Sequence, residues 1–337
     1  MSPIVKQRDC TFDTIKFLLI VLVVFGHWLE YGLNYSVNRV VFNYIYLFHM
    51  PFFILISGYF SRKKDKETFM RDVAKLIETY IVVQILYVFT SFLLQNKPFS
   101  LQQLYMPNAA AWFLLSLFTW RIALQMMPRA WLGTKWIIPL SVGISLAAGF
   151  LPVENELSLQ RTLAFFPFFI VGYKLKNRIS FGGYSNNLRC FAISFLVLIG
   201  ISSFVFLNRD VSYVTWCKTS YFTPPHSLWT LLLLRALYFC TASLLVFSFL
   251  AVFPVVEGPN MLSRLGRDTL FFYVYHIIVM RIGIIIIRHL GLPLYFPAMI
   301  CYTLGSVAVL YLLSQTKPLK LLLNPASNAQ KMFKHHE

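Results

Sequence analysis

Long apolar runs separated by short polar breaks set the rhythm of this chain. A helix crosses the hydrocarbon core of a bilayer with about 20 apolar residues. Ten runs approach that length: 14–34, 40–60, 76–95, 109–127, 136–151, 161–175, 189–207, 229–253, 269–288 and 293–313. The fifth and sixth are the shortest. Pro51, Pro139 and Pro167 fall inside runs, which membrane helices tolerate because neighbouring groups re-satisfy the freed backbone. The pattern predicts an all-α fold, a polytopic transmembrane bundle of about ten spans.

The polar breaks add an orientation. The segment 61–75, SRKKDKETFMRDVAK, is rich in base, and Arg129, Lys135, Lys174, Lys176, Arg178, Arg189, Arg264, Arg267, Lys317, Lys320, Lys331 and Lys334 fall in every second break. The intervening breaks are poorer in base, with Arg39, Lys97, Glu154, Glu156, Arg209, Asp210, Lys218 and Arg288. Such alternation predicts both termini on the cytoplasmic side. The chain then reads as one integral-membrane domain, 1–337, with a cytoplasmic N-terminus (1–13), the spans (14–313) and a basic cytoplasmic tail (314–337). No internal repeat is visible. The first run lacks a small-residue cleavage site and is expected to stay as an anchor.

Composition agrees. The chain is 58% hydrophobic and 13% charged, against about 25% charged in soluble domains. Its formal charge of +17 would suit nucleic acid or an anionic surface, but the hydropathy argues against nucleic acid. Cys10, Cys190, Cys217, Cys240 and Cys301 form no C-x-x-C pair, and the seven histidines show no ligand spacing, so no metal site is expected. The sequon Asn34-Tyr35-Ser36 is too short a pattern to carry weight.

The candidate chemistry sits in polar residues within apolar runs. An ionisable group costs about 2.5–3.5 kcal/mol at the centre of a membrane helix, so it faces the bundle interior or a watery cavity. In DTIKFLLIVLVVFGHWLE (13–30), Lys16 and His27 are eleven residues apart, which returns to one helix face after three turns and roughly 16 Å. Asp13 and Glu30 extend that face by one turn at each end. Bland readings exist for each: Lys16 snorkelling, Asp13 capping, His27 packing and Glu30 solvated at the rim. In FHMPFFILISGYFSRKK (48–64), Ser57-Gly58 permits close helix approach, and Arg62 and Lys63 flank the membrane. Trp112 in WFLLSLF, Arg161 at the edge of the sixth run and His276 within the ninth complete the candidates.

These pieces in this order resemble the acyltransferase 3 family of integral-membrane acyltransferases. Its first span carries a basic residue, ten residues, then histidine, matched by Lys16-(FLLIVLVVFG)-His27. Arg8 and Asp13 match an Arg and an Asp that commonly precede the pair, and FFILISGYFSRKK matches the end of the second span. WFL and LGRDTLFFYVYH (265–276) also look like family features. The FHMPFF, WFLLSLF and FFPFFIVGY wording is nearest the branch similar to fucose 4-O-acetylases. Lys16 stands where many relatives have Arg, which keeps the charge and loses the bidentate fork.

The resemblance implies transfer of an acyl group, most often acetyl, from acyl-CoA to a hydroxyl of a carbohydrate or glycolipid precursor in a bacterial cytoplasmic membrane. No permanently bound cofactor is implied; acetyl-CoA or another acyl-CoA is the donor. Lys16, Arg62, Lys63 and Arg8 would attract the coenzyme phosphates, with Asp13 holding Lys16 or Arg8. His27 would serve as general base, or would carry the acyl group itself. A proton-coupled transporter or flippase would use the same stripe as a path, although no duplicated, broken half-helices support it. Acceptor identity, acyl length, the side of the membrane modified and oligomeric state stay open.

Overall fold

Each apolar run folds as a helix in the computed structural model, which describes residues 9–153, 155–176, 178, 179, 181, 183–206, 211–223 and 226–323. The first half comprises α1 (Cys10–Glu30), α2 (Ser36–Phe60), α3 (Lys66–Gln95), α4 (Gln102–Tyr105), α5 (Trp112–Met126), α6 (Arg129–Gly133) and α7 (Ile137–Ala147). Then come α8 (Leu159–Lys174), α9 (Asn186–Phe206), α10 (Ser212–Thr215), α11 (Leu228–Val252), α12 (Met261–Arg267), α13 (Thr269–His289), α14 (Phe296–Ser314) and α15 (Lys317–Leu322). Among the described residues there is no strand. Among the described residues eight helices are long and apolar enough to cross a membrane; α7 and α8 fall short of that length. The 11 residues of α7 rise only about 16 Å, half of a hydrocarbon core.

Local chemistry sets the helix starts. The Asp9 carboxylate accepts from the backbone N–H of Thr11 and Phe12 at 3.0 and 3.1 Å, so Asp9 caps α1. Asp13, for which capping was one reading, instead pairs with Lys16. Asp65 caps α3 through Thr68 N–H at 2.9 Å, and Asn260 and Ser263 form a capping box on α12.

The bundle is apolar on both its inside and its outside. Ile20, Val24 and Leu29 of α1 are fully buried, whereas Ile81, Ile85, Phe89 and Phe92 make an outward stripe on α3, each at least half exposed. An outer surface of that kind is expected where the solvent is lipid. Because lipid offers no hydrophobic drive between helices, close packing and hydrogen bonds hold them together. Ser116, Ser145, Thr162 and Trp120 supply such bonds among α5, α7 and α8: Trp120 Nε1 donates to the Thr162 carbonyl at 2.7 Å, and Ser145 Oγ to Ala164 at 2.6 Å.

The crossing of α2 and α8 is the tightest test of sequence against packing. A Cβ on Gly58 would lie 2.0 Å from the Phe169 carbonyl oxygen, and one on Gly172 would lie 1.9 Å from that of Leu55. Each glycine thus admits the other helix's backbone. Gly58→Ala is expected to lower stability by about 1–3 kcal/mol, the usual range for overpacking. It is read as a lower unfolding midpoint of purified protein in detergent; an unchanged midpoint would show that the helices separate freely.

Candidate functional site

At the end of the bundle where α1 finishes and α2 begins, a cavity of about 360 Å³ opens among α1, α2, α8 and α13 and the segments around residues 95–112 and 215–216. His27 and Glu30 face it from α1, one helical turn apart. His27 Nδ1–H donates to Glu30 Oε1 at 3.1 Å, and the Tyr46 hydroxyl donates to the same oxygen at 2.6 Å. The carboxylate is held by two donors and in turn fixes the imidazole ring. With Nδ1 so occupied, Nε2 is the basic nitrogen. Gly26 lets Tyr46 come this close, since a Cβ there would lie 2.9 Å from the tyrosine ring.

Two further histidines surround this pair. His49 Nδ1–H donates to the Ile45 carbonyl at 2.8 Å, and its ring lies edge-on to Tyr46 at 4.6 Å. His276 is fully buried 5.3 Å, ring to ring, from His27; its Nδ1–H donates to the Tyr273 carbonyl at 2.6 Å. Its Nε2 has no hydrogen-bond partner among the described residues.

The opposite wall is cationic and aromatic. The Arg161 guanidinium lies 5.0 Å over the Trp112 ring, and its Nε has no hydrogen-bond partner. Among the described residues no carboxylate pairs with it. Arg281 is committed elsewhere: it donates to the Tyr87 carbonyl and Thr90 Oγ1, both at 2.6 Å, and to Asn108 Oδ1 at 3.0 Å. Gln84 pins the same segment, accepting from Asn108 N–H at 2.9 Å and donating to the Gln103 and Met106 carbonyls. Tyr273 OH donates to the Ala110 carbonyl. Together these bonds hold a wall that contains Ala109 at a strained φ of 46°. Arg281→Met should loosen it, with a loss of at least about 1.5–3 kcal/mol, the range for one hydrogen bond to a charged group. Faster proteolysis between residues 97 and 108 would report it; unchanged cleavage and an unchanged unfolding midpoint would sink it.

The predicted site residues thus divide. His27, Glu30, Trp112 and Arg161 meet in the cavity, with His276 directly behind His27. Glu30 keeps 34% of its side chain exposed at the cavity, and it also accepts the His27 hydrogen bond. Lys16 lies roughly 16 Å along the helix at the other end of the bundle, paired with Asp13 at 2.6 Å and 5.7 Å over Phe60. Val23 is the innermost α1 residue of the cavity, and fully buried Ile20 lies between it and Lys16. The continuous stripe is therefore two separate pairs. Lys63 Nζ donates to the Met127 carbonyl at that far end, where Arg62 is exposed. Ser57 Oγ donates to the Phe53 carbonyl and serves the helix. Arg8 lies outside the described residues, as do Glu154, Arg209, Asp210, Lys331 and Lys334.

Tyr46, His49, Asn108, Trp216, Tyr273 and Arg281 line the cavity without having been singled out in the sequence. Arg281 carried a usable signal, an ionisable residue in the apolar run 269–288. His49, in the run 40–60, carried the same signal; Tyr46, Trp216 and Tyr273 carried none, because aromatic residues abound throughout the chain, and Asn108 carried none as a lone amide.

Comparison with known proteins agrees with the architecture. A family model described as an acyltransferase domain, that of acyltransferase 3, matches residues 11–315. Nodulation protein NolL of Mesorhizobium japonicum is 26% identical over 232 residues, covering 64% of this chain and 58% of that protein. Nodulation protein NolL of Sinorhizobium fredii is 43% identical over 60 residues, 17% of this chain and 16% of that protein. The chain thus spans less than two thirds of the length of these curated relatives. No solved structure matches it. With the family's domain running through all the long helices, from the first turn of α1 to the end of α14, the chain belongs to the acyltransferase 3 family.

Proposed function

We propose that the protein is a membrane-embedded O-acyltransferase, moving an acyl group, acetyl by preference, from acyl-CoA to a hydroxyl of a carbohydrate or glycolipid precursor. The observation that carries this reading is the Glu30–His27 pair on a polar cavity within an apolar bundle. A carboxylate on Nδ1 and a basic Nε2 is the arrangement a general base for hydroxyl activation needs.

In this mechanism the acceptor oxygen attacks the thioester carbonyl while its proton passes to His27 Nε2. The new C–O bond forms and the carbonyl electrons move onto oxygen. Arg161, a cation without a carboxylate partner on the same cavity, stabilises that developing charge. Collapse breaks the C–S bond, and coenzyme A leaves as a thiolate that takes the proton back from the imidazolium. Glu30 keeps the imidazolium oriented throughout.

Orientation follows from the loops. Arg62, Lys63, Lys64, Arg129, Lys135, Lys174, Arg264 and Arg267 cluster at the Lys16 end, which supports a cytoplasmic placement of that end and of both termini. The membrane would be a bacterial cytoplasmic membrane crossed about ten times, with α7 and α8 as short spans, α8 largely buried and α7 facing outward on one side. Polyanionic coenzyme A would then meet the Lys16, Arg62 and Lys63 face, its acyl arm would have to part the packing at Ile20 to reach the His27 cavity, and the acceptor would occupy that cavity from the opposite side.

The direct test is release of free coenzyme A thiol by purified protein in nanodiscs given acetyl-CoA and a panel of glycosides and glycan lipids. Acceptor-dependent release is the expected result. Absence of release with acetyl-, succinyl- and longer acyl-CoA, together with acceptor movement across proteoliposomes, would replace the enzyme by a carrier.

A further inference from the structure

A second cavity, of about 230 Å³, lies among α2, α9, α10 and α11. Leu47, Ile199, Val214, Leu234 and Leu237 make its walls aliphatic. Leu237 is 53% exposed on α11, so the crevice reaches the outer, lipid-facing surface. Thr215 lines both this crevice and the histidine cavity. Tyr238 stands at the same boundary: it lines the crevice, and its ring meets Phe165, a wall of the histidine cavity, at 6.5 Å. The histidine cavity and the aliphatic crevice are thus parted by two buried side chains, which must move aside for one molecule to reach both.

Tyr238 supplies an independent observation. It is 3% exposed, yet its hydroxyl has no hydrogen-bond partner. A buried hydroxyl is costly to leave unpaired, and bare hydrocarbon cannot satisfy it. An occupant with oxygen where its chain meets its headgroup can, once the Tyr238 ring swings its enclosed hydroxyl toward the crevice.

We propose that this crevice seats the hydrocarbon chain of a lipid-linked acceptor, its sugar headgroup in the histidine cavity and its linkage oxygens at the Tyr238 hydroxyl. The headgroup assignment rests on the acyl-transfer reading, whereas the chain site stands on the crevice itself. A water-soluble glycan would leave the crevice to ordinary bilayer lipid, which is the competing occupant.

Two arms test this in phosphatidylcholine nanodiscs. First, coenzyme A release from acetyl-CoA is compared for methyl, octyl and dodecyl glucosides. The dodecyl-to-methyl ratio of kcat/KM is expected to exceed about tenfold, the gain from burying roughly two methylenes, and to collapse toward one in Leu234→Trp, which fills the crevice. Because each variant supplies its own ratio, partial misfolding does not imitate the result. A ratio of one in the wild type overturns the proposal. Second, a dodecyl glucoside with a diazirine on its chain is photolysed and the adducts are mapped by mass spectrometry. Label between Ile199 and Thr215 or on α11, competed by dodecyl glucoside and not by extra phosphatidylcholine, supports the site even if no glucoside is acylated. In that case only the acyl-transfer reading falls. Label spread over the α3 outer stripe, or competed equally by phosphatidylcholine, marks annular lipid and sinks the chain site.

Discussion

Alanine at His27 is expected to lower kcat/KM for acyl transfer by about 10²- to 10⁴-fold, the range that a positioned general base contributes. The side chain is partly exposed to the cavity, at 23%, and no backbone group depends on it, so the unfolding midpoint should hold. His27→Gln retains polarity and hydrogen-bonding capacity without a basic nitrogen, and should be equally slow. A burst of coenzyme A equal to the enzyme concentration in the absence of acceptor would turn the base into a nucleophile, with the acyl group on Nε2. Turnover at the wild-type rate in both variants would remove His27 from the chemistry. Glu30→Gln should fall between these limits, since the amide still accepts from Nδ1–H but no longer neutralises the imidazolium.

Much of this was legible in the chain because its signals are local. The 3.6-residue repeat put His27 and Glu30 on one face, and the apolar runs located each long helix of the bundle. What the shared face left open is whether a single cavity runs along it. Lys16 and His27 do share a face, yet about 16 Å of helix and buried Ile20 separate them. A helical stripe records direction and says nothing of what packs against its middle. Glu30 was half legible: its position near the helix end agrees with a side chain 34% exposed, but its bonds to His27 and to Tyr46, admitted by Gly26, appear only in the fold. The α2–α8 crossing illustrates a third case. Ser57-Gly58 was legible as a packing element, but its partner Gly172, lying 114 positions further on, becomes visible only through the reciprocal carbonyl contacts.

Arg161 carries the other large effect. Its guanidinium rests on Trp112 in the cavity wall, and among the described residues no carboxylate forms an ion pair with it. Phe165 and Trp112 flank it and Glu30 lies across the same cavity without pairing to it, so the charge acts through a lower effective dielectric than water and is worth more there. Arg161→Ala should therefore reduce kcat by about 10²- to 10³-fold, the loss typical of removing one donor to a developing oxyanion. The KM for acyl-CoA should change much less, because the charge it meets develops only in the transition state. Arg161→Lys keeps the charge but gives up the planar stack and the fork, and should recover only part of the rate. Trp112→Leu removes the platform while leaving the cation, at a cost of about 0.5–2 kcal/mol for the lost cation–π contact. If Trp112 acts by holding Arg161, the double variant will be no slower than Arg161→Ala alone. Additive losses would separate the two residues, and a raised KM with unchanged kcat would make Arg161 a binding residue for substrate in its ground state.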